Sequence, residues 1–108
     1  MNKYRTHTCN ELSKKEVGSD IKISGWINKK RDHGNLLFID LRDNYGITQC
    51  IINHENKNFK EIEKLQLETV IKVEGKVLER TQETINKDIK TGEIEASIDN
   101  FEILGTCK

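Results

Sequence analysis

Hydrophobic and polar residues alternate along most of the chain, and the alternation gives way once to a helical period. Ile21 and Ile23 point one way in a strand over 20–31, where Gly25 marks a bend of the kind a coiled barrel strand needs. Leu37, Ile39 and Leu41 alternate with Phe38, Asp40 and Arg42 in a second strand over 36–42, and a third follows over 47–53. His33-Gly34-Asn35 and Asp43-Asn44-Tyr45-Gly46 supply the turn chemistry between them. From about Asn56 to Gln66 the period changes, with Phe59, Ile62 and Leu65 at helical spacing, a stripe that reads as core packing. Strand character returns from Thr69 to Arg80 through Val70, Ile71, Val73 and Val77. A polar loop over 81–92 ends at Gly92, and a last strand runs from about Glu93 to Leu104. Residues 1–19 are polar; Asn10 or Ser13 is placed to cap a short helical turn there, with Gly18 to end it.

Three meandering strands, a helix, then two more strands predict an all-β fold with one helix. The expectation is a five-stranded OB-fold, a Greek-key barrel with the helix between strands 3 and 4, occupying 1–108 as one domain. In such a barrel Phe38 falls on the polar side of its strand, with Asp40 and Arg42. A ring there gives up burial unless something flat lies on it, and single-stranded nucleic acids stack a base on such rings. The bland alternative is an aromatic tucked under a loop by the barrel's twist.

Composition narrows the partners. The chain has 18 basic and 18 acidic side chains and no net charge, which argues against a protein held to duplexes by bulk phosphate attraction. Lys29, Lys30 and Arg31 still concentrate positive charge beside Phe38's strand, although such a run is often only a solvated face. Cys9, Cys50 and Cys107 show no paired spacing, so neither a disulfide framework nor a zinc site is expected, and inert thiols in a reducing cytoplasm are. His7 and Cys9 lack a second ligand pair to close a metal site. No apolar stretch is long enough for a membrane span or a signal peptide. No nucleophile–base pair, phosphate-cradling glycine loop or metal cluster supports a free-standing enzyme.

Longer motifs then converge. Tyr4-Arg5-Thr6-His7-Thr8-Cys9, Gly25-Trp26, Arg31-Asp32-His33-Gly34, Phe38-Ile39-Asp40-Leu41-Arg42-Asp43, Gly46-Ile47-Thr48-Gln49, Asn86-Lys87-Asp88 and Thr91-Gly92-Glu93-Ile94-Glu95 span essentially the whole chain. With them the sequence closely resembles the N-terminal anticodon-binding domain of bacterial-type aspartyl-tRNA synthetases. The Gly-Trp and Leu-Arg-Asp elements are shared with the lysyl and asparaginyl enzymes, whereas the Arg-Asp-His-Gly turn and Thr-Gly-Glu-Ile-Glu stretch point to the aspartyl enzyme. The resemblance implies a class II catalytic domain, with its ATP, magnesium and aspartate sites, beyond a hinge near Lys108. It therefore implies a binding module with no cofactor and no catalytic residue of its own. The implied partner is tRNA(Asp), with tRNA(Asn) a second; the implied parent enzyme is a homodimer and the domain alone a monomer.

Site residues follow by resemblance. Phe38 stacks beneath the central uridine of a G-U-C anticodon and Gln49 reads that base, its amide offering complements to both the N3–H and a carbonyl of uracil. Glu95 holds the position that reads the first base, accepting from guanine N1–H and N2–H. Arg31 holds the position that reads the third, its fork donating to cytosine N3 and O2. Lys29, Lys30 and Arg42 are assigned to phosphate or strand-pair contacts that set register. Asn86 is assigned to a backbone or base-edge contact from the 4–5 loop. Many relatives carry Asn-x-Asn there, whereas this chain has Thr84-Ile85-Asn86, and threonine keeps a hydroxyl but loses reach.

His33 and Glu83 bear on the third base. In the resembled family, members strict for tRNA(Asp) often carry leucine at the position of His33. Members that charge both tRNA(Asp) and tRNA(Asn) often carry histidine. An imidazole can face either cytosine N4–H₂ or uracil O4, so it suits a site that accepts both G-U-C and G-U-U. The competing reading is a generic single-stranded binder on the same fold, which usually lines its groove with several aromatics.

Overall fold

The computed structural model describes residues 7, 9, 12–32, 34–80, 85 and 91–105. Five strands, β1 (Asp20–Asp32), β2 (Leu36–Arg42), β3 (Ile47–Asn53), β4 (Val70–Glu79) and β5 (Ile94–Gly105), close into a barrel in the order β1-β2-β3-β5-β4. All pairings are antiparallel except β3 with β5. This is the expected OB-fold topology, with each strand within about two residues of its expected bounds.

The alternation works as physics predicts. Ile21, Ile23 and Ile27, then Leu37, Ile39 and Leu41, then Cys50 and Ile52, line one interior with Ile71, Val73, Val77, Ile94, Ala96 and Ile98, all essentially without solvent contact. Two glycines let the barrel close tightly. A Cβ on Gly25 would strike the carbonyl oxygen of Arg42, and one on Gly75 would strike that of Ser97. Gly25 is thus less a free hinge than a point where two backbones touch.

The turns carry their own locks. Asp43 Oδ1 accepts from the amides of Tyr45 and Gly46 at 2.8 and 3.0 Å, and its Oδ2 accepts from the Cys9 amide at 2.8 Å. Gly34, at φ +79°, donates its amide to Asp32 Oδ1 at 2.8 Å. Before β1, Ser13 caps a 3-10 turn, Lys14–Glu16, by accepting from the Lys15 amide, and Gly18 adopts φ +88° just after it. Of the two candidate caps for this turn, Ser13 is the one used; Asn10 lies outside the described residues.

The helix α1 covers only Phe59–Glu63, shorter than the expected 56–66. Asparagines explain the loss at its start. Asn53 and Asn56 accept from the amides of Glu55 and Asn58 at 2.9 and 2.8 Å, local bonds that compete with a helical ladder. Asn56 also donates to the Ile98 carbonyl at 3.0 Å, tying the turn to β5. Phe59 and Ile62 are buried in the core and Leu65 packs against it, as the stripe predicts.

Candidate nucleic-acid interface

The register carries one row of outward-facing side chains across four strands. Lys29 on β1 lies opposite Asp40 on β2, which lies opposite Gln49 on β3. Cys50 pairs with Ala96 across the parallel seam, so Gln49 is matched by Glu95 on β5. The next row holds Arg31, Phe38, Ile51 and Ser97. A bulge between Ile27 and Lys29 shifts β1 by one residue. It turns Lys29 and Arg31 onto the same face as Phe38.

Hydrogen bonds join these rows into one chain of polar groups. Arg31 donates from Nη1 to Asp40 Oδ2 and from Nη2 to Asp40 Oδ1, both at 3.1 Å, and from Nη2 to Gln49 Oε1 at 2.9 Å. Gln49 Nε2 donates to Glu95 Oε1 at 2.9 Å. A guanidinium only donates and a carboxylate only accepts, so the Gln49 amide has one sensible orientation, oxygen toward Arg31 and nitrogen toward Glu95. Gln49 is only 7% exposed, while the Arg31 side chain is 41% exposed and Asp40 17%. Phe38 is half-buried beside this chain and outside the core.

Four expected site residues thus meet on one face: Arg31, Phe38, Gln49 and Glu95. Lys29 and Arg42 are exposed on its margin, Arg42 lying between Trp26 and Ile47 in the adjoining row. Lys30 departs from its assignment. Alternation turns it away from Lys29 and Arg31, and its ammonium donates to the carbonyls of Glu63, at 2.7 Å, and Leu65. It closes the C-terminal end of α1, where carbonyls lack helical partners and a cation is favoured, and so serves the fold. His33, Glu83, Thr84 and Asn86 lie outside the described residues.

Sequence alone assigned no role to Asp40 or Arg80. Asp40 showed only as a polar residue in an alternating strand and as a member of the Phe38–Asp43 motif, with no role attached. Arg80 follows β4, is nearly inaccessible, and donates from Nε to the Ile94 carbonyl at 2.8 Å, next to Glu95. Burial pulls its pKa below the ordinary arginine value; Glu95 and Asp40 oppose that shift and Arg31 adds to it. An arginine ending a strand carries no signal of burial in its sequence pattern. Arg80 thus adds a second cation whose charge is felt by the Arg31, Asp40 and Glu95 set from the buried side.

Residues 21–104 match the family described as OB-fold nucleic acid binding domain, that of the tRNA anticodon type. The chain belongs to this family. Among relatives, the aspartate–tRNA(Asp/Asn) ligase of Pelagibacter ubique is 70% identical over 108 residues, covering 100% of this chain and 18% of that protein. The ligase of the same name from Wolbachia sp. subsp. Drosophila simulans is 53% identical over 103 residues, covering 95% and 17%. The chain therefore spans less than a fifth of the length of these relatives. In fold it matches the asparaginyl-tRNA synthetase from Pyrococcus horikoshii, with a TM-score of 0.77 at 22% identity over 94% of this chain and 23% of that one. Among the described residues no helix is long and apolar enough to cross a membrane.

Proposed function

We propose that this OB-fold domain reads the anticodon loop of aspartate-accepting tRNA as the binding module of an aspartate–tRNA ligase. The observation that carries the reading is the single face on which a half-buried aromatic, Phe38, adjoins the hydrogen-bonded set Arg31, Gln49 and Glu95. A stacked base on Phe38 has its edge directed at an amide of fixed orientation, the arrangement that single-stranded RNA reading requires. The names of the relatives at 70% and 53% identity support the same reading. They also support a relaxed third position, G-U-C and G-U-U alike, with His33 and Glu83 as the residues that allow it and Asn86 adding a loop contact.

Adenylate formation, with ATP and magnesium, belongs in this reading to the remainder of a longer, homodimeric ligase. Among the described residues no group of three or more His, Cys, Asp or Glu side chains could hold a metal ion, and no step is assigned to this chain. The test is a titration of the domain with fluorescent anticodon stem-loops bearing G-U-C, G-U-U, C-U-C and G-A-C. The reading expects tight, near-equal binding of the first two and weak binding of the others, with His33→Leu shifting preference toward G-U-C. Equal binding of all four favours a generic single-stranded binder. A native preference for G-U-C over G-U-U beyond about tenfold, ~1.4 kcal/mol, overturns the relaxed third position alone.

A further inference from the structure

Asp40 holds the Arg31 guanidinium by both Nη atoms at 3.1 Å, and the same Nη2 donates to Gln49 Oε1 at 2.9 Å. We propose that Asp40 is a positioning residue that fixes which edge of the Gln49 amide meets the central base, and so separates uridine from cytidine. The inference rests on the anticodon reading above.

The argument turns on the near-symmetry of an amide. Rotated by half a turn, the Gln49 side chain keeps its shape and exchanges its donor for its acceptor. Uracil offers an N3–H donor beside the O4 acceptor; cytosine offers an N3 acceptor beside N4–H₂ donors. The two bases are therefore read by opposite orientations of one amide. Gln49 alone has no means of choosing. Glu95 Oε1 holds its nitrogen at one end and Arg31 holds its oxygen at the other.

Arg31 is the weaker anchor unless it is itself held, because its side chain is 41% exposed and long. Asp40 supplies the hold. Its carboxylate lies on the adjacent strand, paired with Gln49 in register and only 17% exposed, and its two oxygens match the planar fork of the guanidinium. A bidentate partner fixes the plane of the fork, and the plane aims the second Nη2 hydrogen at Gln49. Asp40 also places a negative charge under the path of an RNA, a cost to affinity that a purely adhesive surface would not carry.

The test uses the folded domain, Asp40→Asn and Asp40→Glu, titrated with G-U-C and G-C-C stem-loops, with thermal melts of each protein. The native domain should prefer G-U-C. Asp40→Asn, which keeps the shape but sets an N–H₂ against the fork, should cut that preference about tenfold while binding G-C-C as tightly as the native domain or more so. Asp40→Glu, which retains both acceptors, should keep most of the preference. An unchanged preference in a folded Asp40→Asn overturns the inference and leaves the anticodon reading standing. Equal weakening of both loops with a lowered melting temperature reduces Asp40 to a structural role and also overturns it. No preference in the native domain overturns the anticodon reading itself, and this inference with it.

Discussion

Gln49 Nε2 donates to Glu95 Oε1 at 2.9 Å across the seam where β3 and β5 run parallel, although the two residues are 46 positions apart in sequence. The bond exists because the Greek-key path returns β5 beside β3 and places both side chains outward at one level. Among the described residues Gln49 engages only Oε1 of Glu95, and a guanine edge would supply donors for Oε2. A group expected to read the first base thus also orients the group expected to read the second.

Glu95→Gln keeps the size of the side chain and removes one acceptor. It should weaken binding of a G-U-C stem-loop by about 1–3 kcal/mol and flatten the preference for guanine over adenine at the first base. The measurement is a pair of titrations with G-U-C and A-U-C loops. Unchanged selectivity would show that Glu95 serves only to hold Gln49.

Phe38→Ala should cost roughly 1–3 kcal/mol in stem-loop binding with little change in unfolding temperature, because the ring lies outside the buried cluster. Thermal melts and titrations on one preparation separate the two effects. A large drop in melting temperature would mark Phe38 as a packing residue.

The barrel was legible because its strands alternate cleanly and its turns carry Asp, Asn and Gly where local chemistry needs them. The same alternation put Phe38 on the outer face. The helix was overread because Phe59, Ile62 and Leu65 keep helical spacing beyond the point where Asn56 and Lys30 redirect the backbone bonds. The polar chain from Asp40 to Glu95 was not legible as a unit. Its members come from four strands, and only the closed register brings them within hydrogen-bond reach. Lys30 misled for a similar reason, since three adjacent basic residues cannot all share one face of a strand.

Lys29 and Lys30 should therefore respond in opposite ways. Lys29→Ala should weaken stem-loop binding and reduce its salt dependence, the slope of log K against log salt falling by about 0.7 for one single-strand phosphate left unneutralised. Lys30→Ala should leave that slope alone and lower stability by about 0.5–1.5 kcal/mol, because the Glu63 and Leu65 carbonyls are then without their ammonium donor. Titrations at several salt concentrations and urea unfolding distinguish them. A reduced slope in Lys30→Ala would restore its assignment to phosphate.

The last prediction concerns the floor of the site. Cys50 lies between Gln49 and Ile51 with its side chain in the core, fully buried, and its thiol resists ionisation. Burial first, then the nearby charges of Asp40 and Glu95, hold its pKa far above the ordinary thiol value of 9.0. The sign follows from proton counts. Up to about pH 8 both folded and unfolded chains keep the proton, so Cys50 contributes almost no pH dependence. Above pH 9 the unfolded thiol ionises and the folded one does not. The unfolded state then holds fewer protons, and stability falls as pH rises, by up to about 1.4 kcal/mol per pH unit. Other groups titrate in the same range, so the measurement is a difference. Urea unfolding of the native domain and of Cys50→Val, which keeps a small apolar group in the core, should give profiles that are parallel from pH 7 to about pH 8. Between pH 9 and 11 the native domain should lose stability faster. Parallel profiles across the whole range would mean that the thiol ionises in place, and that the floor beneath Gln49 is open to water.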